Sequence, residues 1–142
     1  MQKIGSKMRE HPTVLAMQGR EETRFAGELD APSLRELCLR CGADDVGFVS
    51  IGRPELDDQR RDITDVFPPT QTLISFVCRM NREPVRSKFR SLANSEFHLC
   101  GDKTTEVGHK IARELERLGV RALNEPMAFP MEVGRFPKAS RG

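Results

Sequence analysis

The chain has 142 residues, 37% of them hydrophobic, enough for one ordinary core and too few for two, so one main domain is expected. The formal net charge is only +2, and no apolar run approaches the roughly 18 residues that a membrane-spanning helix requires. The N-terminus lacks the apolar stretch of a secretory signal, so a cytoplasmic, reducing setting is expected, with Cys38, Cys41, Cys78 and Cys100 as thiols rather than a disulfide framework. Tryptophan and tyrosine are both absent, which leaves phenylalanine alone for stacking.

Residues 1–29 show no sustained period. Val14, Leu15 and Met17 make a short apolar patch, and the segment frames either a helix or a poorly defined arm. From Asp30 the pattern sharpens. Leu34, Leu37, Cys38 and Cys41 share one helical face while Arg35, Glu36 and Arg40 face away. Either Ser33 with Glu36 forms a capping box or Asp30 caps one turn earlier with Pro32 in the first turn, and Gly42 stops the helix. Residues 45–51 read as a strand that Gly52 closes. Pro54 opens a second, acidic helix with Leu56, Ile63, Val66 and Phe67 on its apolar side.

Pro68 and Pro69 end that helix, and residues 72–78 form a nearly continuous apolar, β-branched run, as expected of a strand covered on both faces. Strand, helix, strand suggests a parallel, right-handed βαβ unit; antiparallel pairing in an α+β sheet is the alternative. Pro84 starts another helical period through Val85, Phe89, Leu92, Ala93, Phe97 and Cys100, which Gly101 and Asp102 interrupt or bend. Asp102 then suits the N-cap of a helix striped by Val107, Ile111, Leu115 and Leu118 and stopped by Gly119. Residues 120–123 are a third strand candidate, and residues 126–142 form an extended tail. The expected fold is α/β (or α+β): a small central sheet of about three strands with flanking helices over residues 30–125.

Charge is unevenly distributed. Residues 54–65 hold five acidic side chains against Arg60 and Arg61, whereas Arg79, Arg82, Arg86, Lys88 and Arg90 stand against Glu83 alone. The basic cluster could grip phosphates, but with Phe89 as its one aromatic residue a solvated connection is the preferred reading.

Four constellations bear on chemistry. Cys38-Leu-Arg-Cys41 spells a C-x-x-C, yet a redox pair needs its nucleophile at a helix N-terminus, and these thiols sit at a helix end where the dipole raises their pKa. Zinc would need two further ligands, and Cys78 and Cys100 are isolated, so buried structural thiols are expected. Glu96, His98, Cys100 and Asp102 would share a face in an extended chain and make a metal site; in a helix they spread around the axis, and the periodicity favours the helix. His109 lies beside the apolar stripe without a nucleophile to serve. Gly101 and Gly108 lack the spacing of a phosphate loop.

The order Leu37-Cys-Leu-Arg-Cys-Gly-Ala-Asp-Asp-Val-Gly-Phe-Val49, an acidic helix, Phe67-Pro-Pro-Thr-Gln-Thr-Leu-Ile-Ser-Phe76, then Glu96-Phe97-His98 leading a long helix resembles the N-terminal half of the epoxyqueuosine reductase-like iron–sulfur proteins. The resemblance spans about residues 33–137 and includes Arg121-Ala-Leu-Asn124 and Gly134-Arg-Phe-Pro137, which look like the ferredoxin-like branch of the family. Phe97 stands where the family's Asp-Tyr-His-type step has tyrosine, and the likeness puts His98 forward as a cofactor-binding residue. The family joins a corrinoid-binding region, related to nitroreductase-like and reductive dehalogenase folds, to a ferredoxin module with 4Fe-4S clusters. Its best-known members reduce the epoxide of epoxyqueuosine in tRNA, with cobalamin as the cofactor and a carboxylic acid as proton donor.

This chain has no C-x₂-C-x₂-C-x₃-C-P run with which to hold such clusters. By the resemblance it is an N-terminal fragment or truncated relative, lacking the segment with the catalytic acid and inactive alone, with no cofactor of its own. Its implied partners are a missing C-terminal iron–sulfur half and a weak tRNA contact through Arg79, Arg82, Arg86, Lys88 and Arg90. The rival expectation is a stand-alone α/β binding or interaction module without redox chemistry.

Overall fold

A computed structural model of the chain describes residues 11–18 and 29–125. The extended tail expected over 126–142 and most of the arm assigned to 1–29 lie outside the described residues. Within that arm, Pro12–Gln18 forms helix α1. Pro12 suits the first helical position, and the Thr13 N–H donates to His11 Nδ1 at 3.3 Å.

Helix α2, Ala31–Arg40, begins as the Asp30 alternative requires. Asp30 Oδ1 accepts from the Ser33 N–H at 2.7 Å, which satisfies one of the orphan donors of the first turn. The helix ends at Gly42, whose φ of 112° only glycine adopts readily. Ala43 N–H then bonds Cys38 O and Gly42 N–H bonds Leu39 O, the paired contacts of a Schellman ending. Leu37 and Cys38 are thereby turned into the core.

Strand β1, Asp45–Ser50, pairs with β2, Thr72–Val77, in antiparallel register, Val46 opposite Phe76 and Phe48 opposite Ile74. The parallel βαβ expectation is corrected, and the fold is α+β. The connection explains why. It contains a 3-10 turn, Pro54–Leu56, and a helix α3 of only 7 residues, Arg60–Val66. At about 1.5 Å per residue α3 spans roughly 10 Å, too little to carry the chain back along the sheet. Ile51 N–H instead bonds Gln71 O, so the chain leaves and re-enters at the same end. The single acidic helix expected from Pro54 is broken at residues 57–59, where Arg60 gathers the turn: Nε donates to Ile51 O at 2.8 Å and Nη2 to Arg53 O at 2.9 Å.

The sheet has two strands among the described residues, not three. Residues 120–123 form no strand, and Val120 N–H bonds Leu115 O instead of a neighbouring strand. Nor is β2 covered on both faces. Val46, Phe48, Ile74 and Phe76 pack toward the core, while Ser75 and Val77 on the reverse face are exposed.

After helix α4, Arg82–Arg86, comes α5, Arg90–Arg117, unbroken for 28 residues. The expected interruption at Gly101 and Asp102 does not occur, and Asp102 is an interior residue rather than an N-cap. A mid-helix glycine costs about 1 kcal/mol relative to alanine, too little to break a helix held from both sides. Thr105 Oγ1 donates to Gly101 O at 3.1 Å and Thr104 Oγ1 to Cys100 O at 2.8 Å. Downstream, Val107, Ile111 and Leu115 are each at most 4% exposed and meet Leu37, Cys38, Ala43 and Val46 in one core cluster. Gly119, at φ 79°, ends α5 with a second Schellman pair, Val120 N–H to Leu115 O and Gly119 N–H to Glu116 O. Among the described residues no helix is long and apolar enough to cross a membrane.

Candidate functional site

The chemistry-bearing side chains concentrate where the exit of β2 crosses the first half of α5. Three residues spaced at one helical face, Glu96, Cys100 and Lys103, meet that exit. Glu96 is 7% exposed, and its carboxylate accepts from the Asn81 N–H at 2.5 Å and from Asn81 Nδ2 at 3.4 Å. The Cys100 thiol donates to Cys78 O at 3.3 Å. Lys103 Nζ lies 3.9 Å from Asp44 Oδ2, which also accepts from the Arg79 N–H at 2.7 Å. Together they pin residues 78–81 to the helix and hold the N-cap residue of α4.

The helix therefore disperses the four candidate ligands. Glu96 and Cys100 face the β2 exit, His98 is exposed with its ring edge-on to Phe97 at 5.7 Å, and Asp102 is exposed on another side. Among the described residues no group of three or more His, Cys, Asp or Glu side chains is placed to hold a metal ion.

Cys38 and Cys41 occupy the last turn of α2 as free thiols, the first completely buried. Burial pushes both pKa values up, reinforced at Cys38 by Cys41 and at Cys41 by Glu114. Both features favour the unreactive thiol.

Two shallow grooves flank α5. One, of about 410 Å³, lies beside Cys41 and is lined by Arg40, Lys110, Arg113 and Arg117. Ion pairs with Glu36 at 3.2 Å, Glu106 at 2.7 Å and Glu114 at 2.5 Å engage three of these four cations. The Lys110 contact holds the Glu106 carboxyl below its usual range. The second, of about 770 Å³, runs between α5 and residues 122–124 and takes in Asp102, His109 and Glu116. His109 shares this open groove with Thr105, whose hydroxyl is committed to Gly101 O at 3.1 Å.

His98 belongs to neither groove. Among the described residues neither groove would bring a corrinoid to His98.

Arg79, Arg82, Arg86, Lys88 and Arg90 are all exposed along the β2 exit, α4 and the start of α5. Arg86 pairs with Glu83 at 3.7 Å and Lys88 lies 5.4 Å from the centre of the Phe89 ring.

Sequence reasoning missed the Glu96–Asn81 clamp, because the nearer partner of the carboxylate is a backbone N–H. The spacing of Glu96, Cys100 and Lys103 was the available signal. It also missed the closeness of residues 120–125 to α5. A Cβ built on Gly108 would lie 2.9 Å from Asn124 Cγ, so the Asn124 amide occupies the space that the missing side chain leaves.

The described residues define a small α+β fold, a two-stranded hairpin with α2 and α5 on one face. Comparison with protein families, with characterised proteins and with solved structures finds no match.

Proposed function

We propose that this chain acts as the N-terminal scaffold of an epoxyqueuosine reductase-like redox protein, a unit that becomes functional against a cluster-bearing half. One observation carries the reading: the secondary structure exceeds what the core can cover. A two-stranded sheet is marginal by itself, and here Val77 is 57% exposed on its open face and Val66 is 50% exposed at the end of α3. Leu92 and Leu99 on α5 are 51% and 62% exposed. Apolar surface of this kind marks a contact with another protein surface. The element order, α2, β1, acidic connection, β2 and long helix, agrees with the order of the resembling motifs.

On this reading 4Fe-4S clusters and cobalamin are features of the assembled protein, and tRNA contact through Arg79, Arg82, Arg86, Lys88 and Arg90 is a property of the whole. The residues of this chain position and support. Glu96, Cys100 and Lys103 fix the β2 exit on α5, and the polar clamp sets where His98 and the basic strip stand relative to the hairpin.

The test mixes the purified chain, under anaerobic conditions, with the separately produced cluster-bearing half of an epoxyqueuosine reductase-like protein. Co-elution in size exclusion and loss of hydrophobic-dye binding by the chain are expected. A chain that stays apart, binds no dye and unfolds cooperatively as a monomer would instead be a stand-alone module, and the proposal would be wrong.

A further inference from the structure

We propose that β2 is a self-pairing edge, along which two copies of this chain join antiparallel, centred on Ile74, into one four-stranded sheet. This inference is independent of the redox-protein reading, since it concerns the chain alone.

The hydrogen bond from Ile51 N–H to Gln71 O fixes the phase of the hairpin ladder. The bonded pairs that follow are Val49 with Leu73, Gly47 with Ser75 and Asp45 with Val77. The alternate residues turn their N–H and C=O groups away from the hairpin. On β1 these are Val46, Phe48 and Ser50; on β2 they are Thr72, Ile74 and Phe76.

The two outer edges differ. On β1, Val46 O accepts from Arg35 Nη1 at 2.9 Å, Val46 N–H donates to Asp45 Oδ1 at 2.9 Å, and Ser50 O accepts from the Arg53 N–H at 3.1 Å. Arg35, itself paired with Asp45 at 2.6 Å, thus stands where a further strand would lie. On β2, no hydrogen bond from any described residue reaches the outward N–H or C=O of Thr72, Ile74 or Phe76. The open stretch ends at Cys78, whose carbonyl accepts from Cys100. Residues 70–78 also lack the proline or charged side chain with which an exposed edge is normally guarded.

Charge selects the occupant. The acidic segment 54–65 precedes β2 and the basic segment 79–90 follows it. Parallel pairing of two copies would set like charge beside like. Antiparallel pairing lays each copy's basic exit beside the other's acidic entry, with the uncharged residues 66–78 between them. Centred on Ile74, the register sets Thr72 opposite Phe76 of the second copy and Ile74 opposite its own equivalent. Every outward N–H and C=O along the edge then finds a partner, whereas a shift of one residue would set open groups against closed ones. Ile74 and Phe76 of both copies form one apolar row across the axis, and the closed β1 edge stops growth at two chains.

In analytical ultracentrifugation the full chain should pass from monomer to dimer as its concentration rises. Amide exchange at Thr72, Ile74 and Phe76 should slow in step, while Leu73, already bonded to Val49, is protected throughout. Thr72→Pro removes one outward donor without touching the β1–β2 ladder and should weaken association about tenfold or more. Ser75→Lys, on the exposed reverse face, sets like charges about 7–8 Å apart across the axis and should weaken it several-fold. Gly47→Lys is the control: it adds the same charge to the same face of β1, where an added Cβ meets nothing within 4 Å, and should leave association unchanged. Raising salt from about 50 to about 500 mM should weaken the dimer by screening the crossed segments. A chain that is monomeric at every concentration would overturn the proposal, as would association indifferent to salt or growth beyond two chains. So would loss of the dimer in Gly47→Lys as severe as in Ser75→Lys, which puts the interface on the reverse face. Edge amides protected at the lowest concentrations would make another part of the same chain the occupant, and protection that appears only on adding a cluster-bearing half would make that half the occupant; either result refutes self-pairing.

Discussion

Gly108→Ala sets two effects of opposite sign against each other. In a helix interior the change by itself stabilises by about 0.8–1.0 kcal/mol, since alanine surrenders less backbone freedom than glycine. Here the new Cβ would stand 2.9 Å from Asn124 Cγ and 3.2 Å from Asn124 Nδ2. The whole Asn124 amide must therefore move. Overpacking of this kind costs about 1–3 kcal/mol, so the net expectation is a loss of up to about 2 kcal/mol despite the gain in helix propensity. In an Asn124→Ala background the obstructing atoms are gone, and the same substitution should stabilise by about 1 kcal/mol. Urea unfolding followed by far-ultraviolet circular dichroism on the four proteins of this cycle gives the coupling energy, expected at about 1–3 kcal/mol. An equal gain from alanine in both backgrounds would refute the reasoning, for it would mean that Asn124 does not seat on Gly108.

At Gly42 the argument concerns backbone conformation: φ is 112°, and an added Cβ would lie 3.2 Å from Val107 Cγ2. Gly42→Ala should destabilise by about 1–2 kcal/mol in the same unfolding assay. Glu96→Leu removes a charged acceptor from the Asn81 N–H, a loss of about 1.5–3 kcal/mol, and should speed hydrogen exchange at the Asn81 amide by more than at the amides of β1. Asp30, Asp45 and Glu106 all have folded pKa values below their ordinary ones, through hydrogen bonds from Ser33, Arg35 and Lys110 respectively. Their contribution is present above the unfolded carboxylate pKa and lost as pH falls through the lower folded values. Stability should therefore fall on acidification below about pH 4, and Asp30→Asn, Asp45→Asn and Glu106→Gln together should flatten that slope.

Elements whose signals are local were legible in the sequence. Asp30 with Pro32 was one of two starts the pattern allowed for α2, Gly42 and Gly119 announced two helix ends, and β1 and β2 fell within a residue of their expected bounds. Pairing direction was not legible, because it depends on where the 51–71 connection returns, and Arg60 decides that by gathering carbonyls of Ile51 and Arg53. Gly101 misled because its propensity is outweighed by packing and threonine hydrogen bonds further along α5. Of the candidate site, Glu96 and Cys100 were legible in the sequence, while Asn81 and Lys103 were not. Glu96 and Cys100 do act together, yet on the Asn81 N–H and the Cys78 carbonyl, and no side-chain pattern names a backbone partner.

The long helix then poses a problem that one covering surface cannot solve. Its second half is buried through Val107, Ile111 and Leu115, whereas in its first half Leu92, Phe97 and Leu99 are 51%, 55% and 62% exposed. Polar clamps at Glu96, Cys100 and Lys103 fasten that half to the β2 exit, but hydrogen bonds do not shield apolar surface. At about 100° per residue, Leu92 and Leu99 lie roughly 160° around the axis from the Gly101 and Phe97 line. A partner surface seated on the leucine face therefore leaves Phe97 bare. A bound partner half should protect Leu92 and Leu99 from solvent without changing Phe97, and equal protection of all three would mean that the partner does not sit on the leucine face alone.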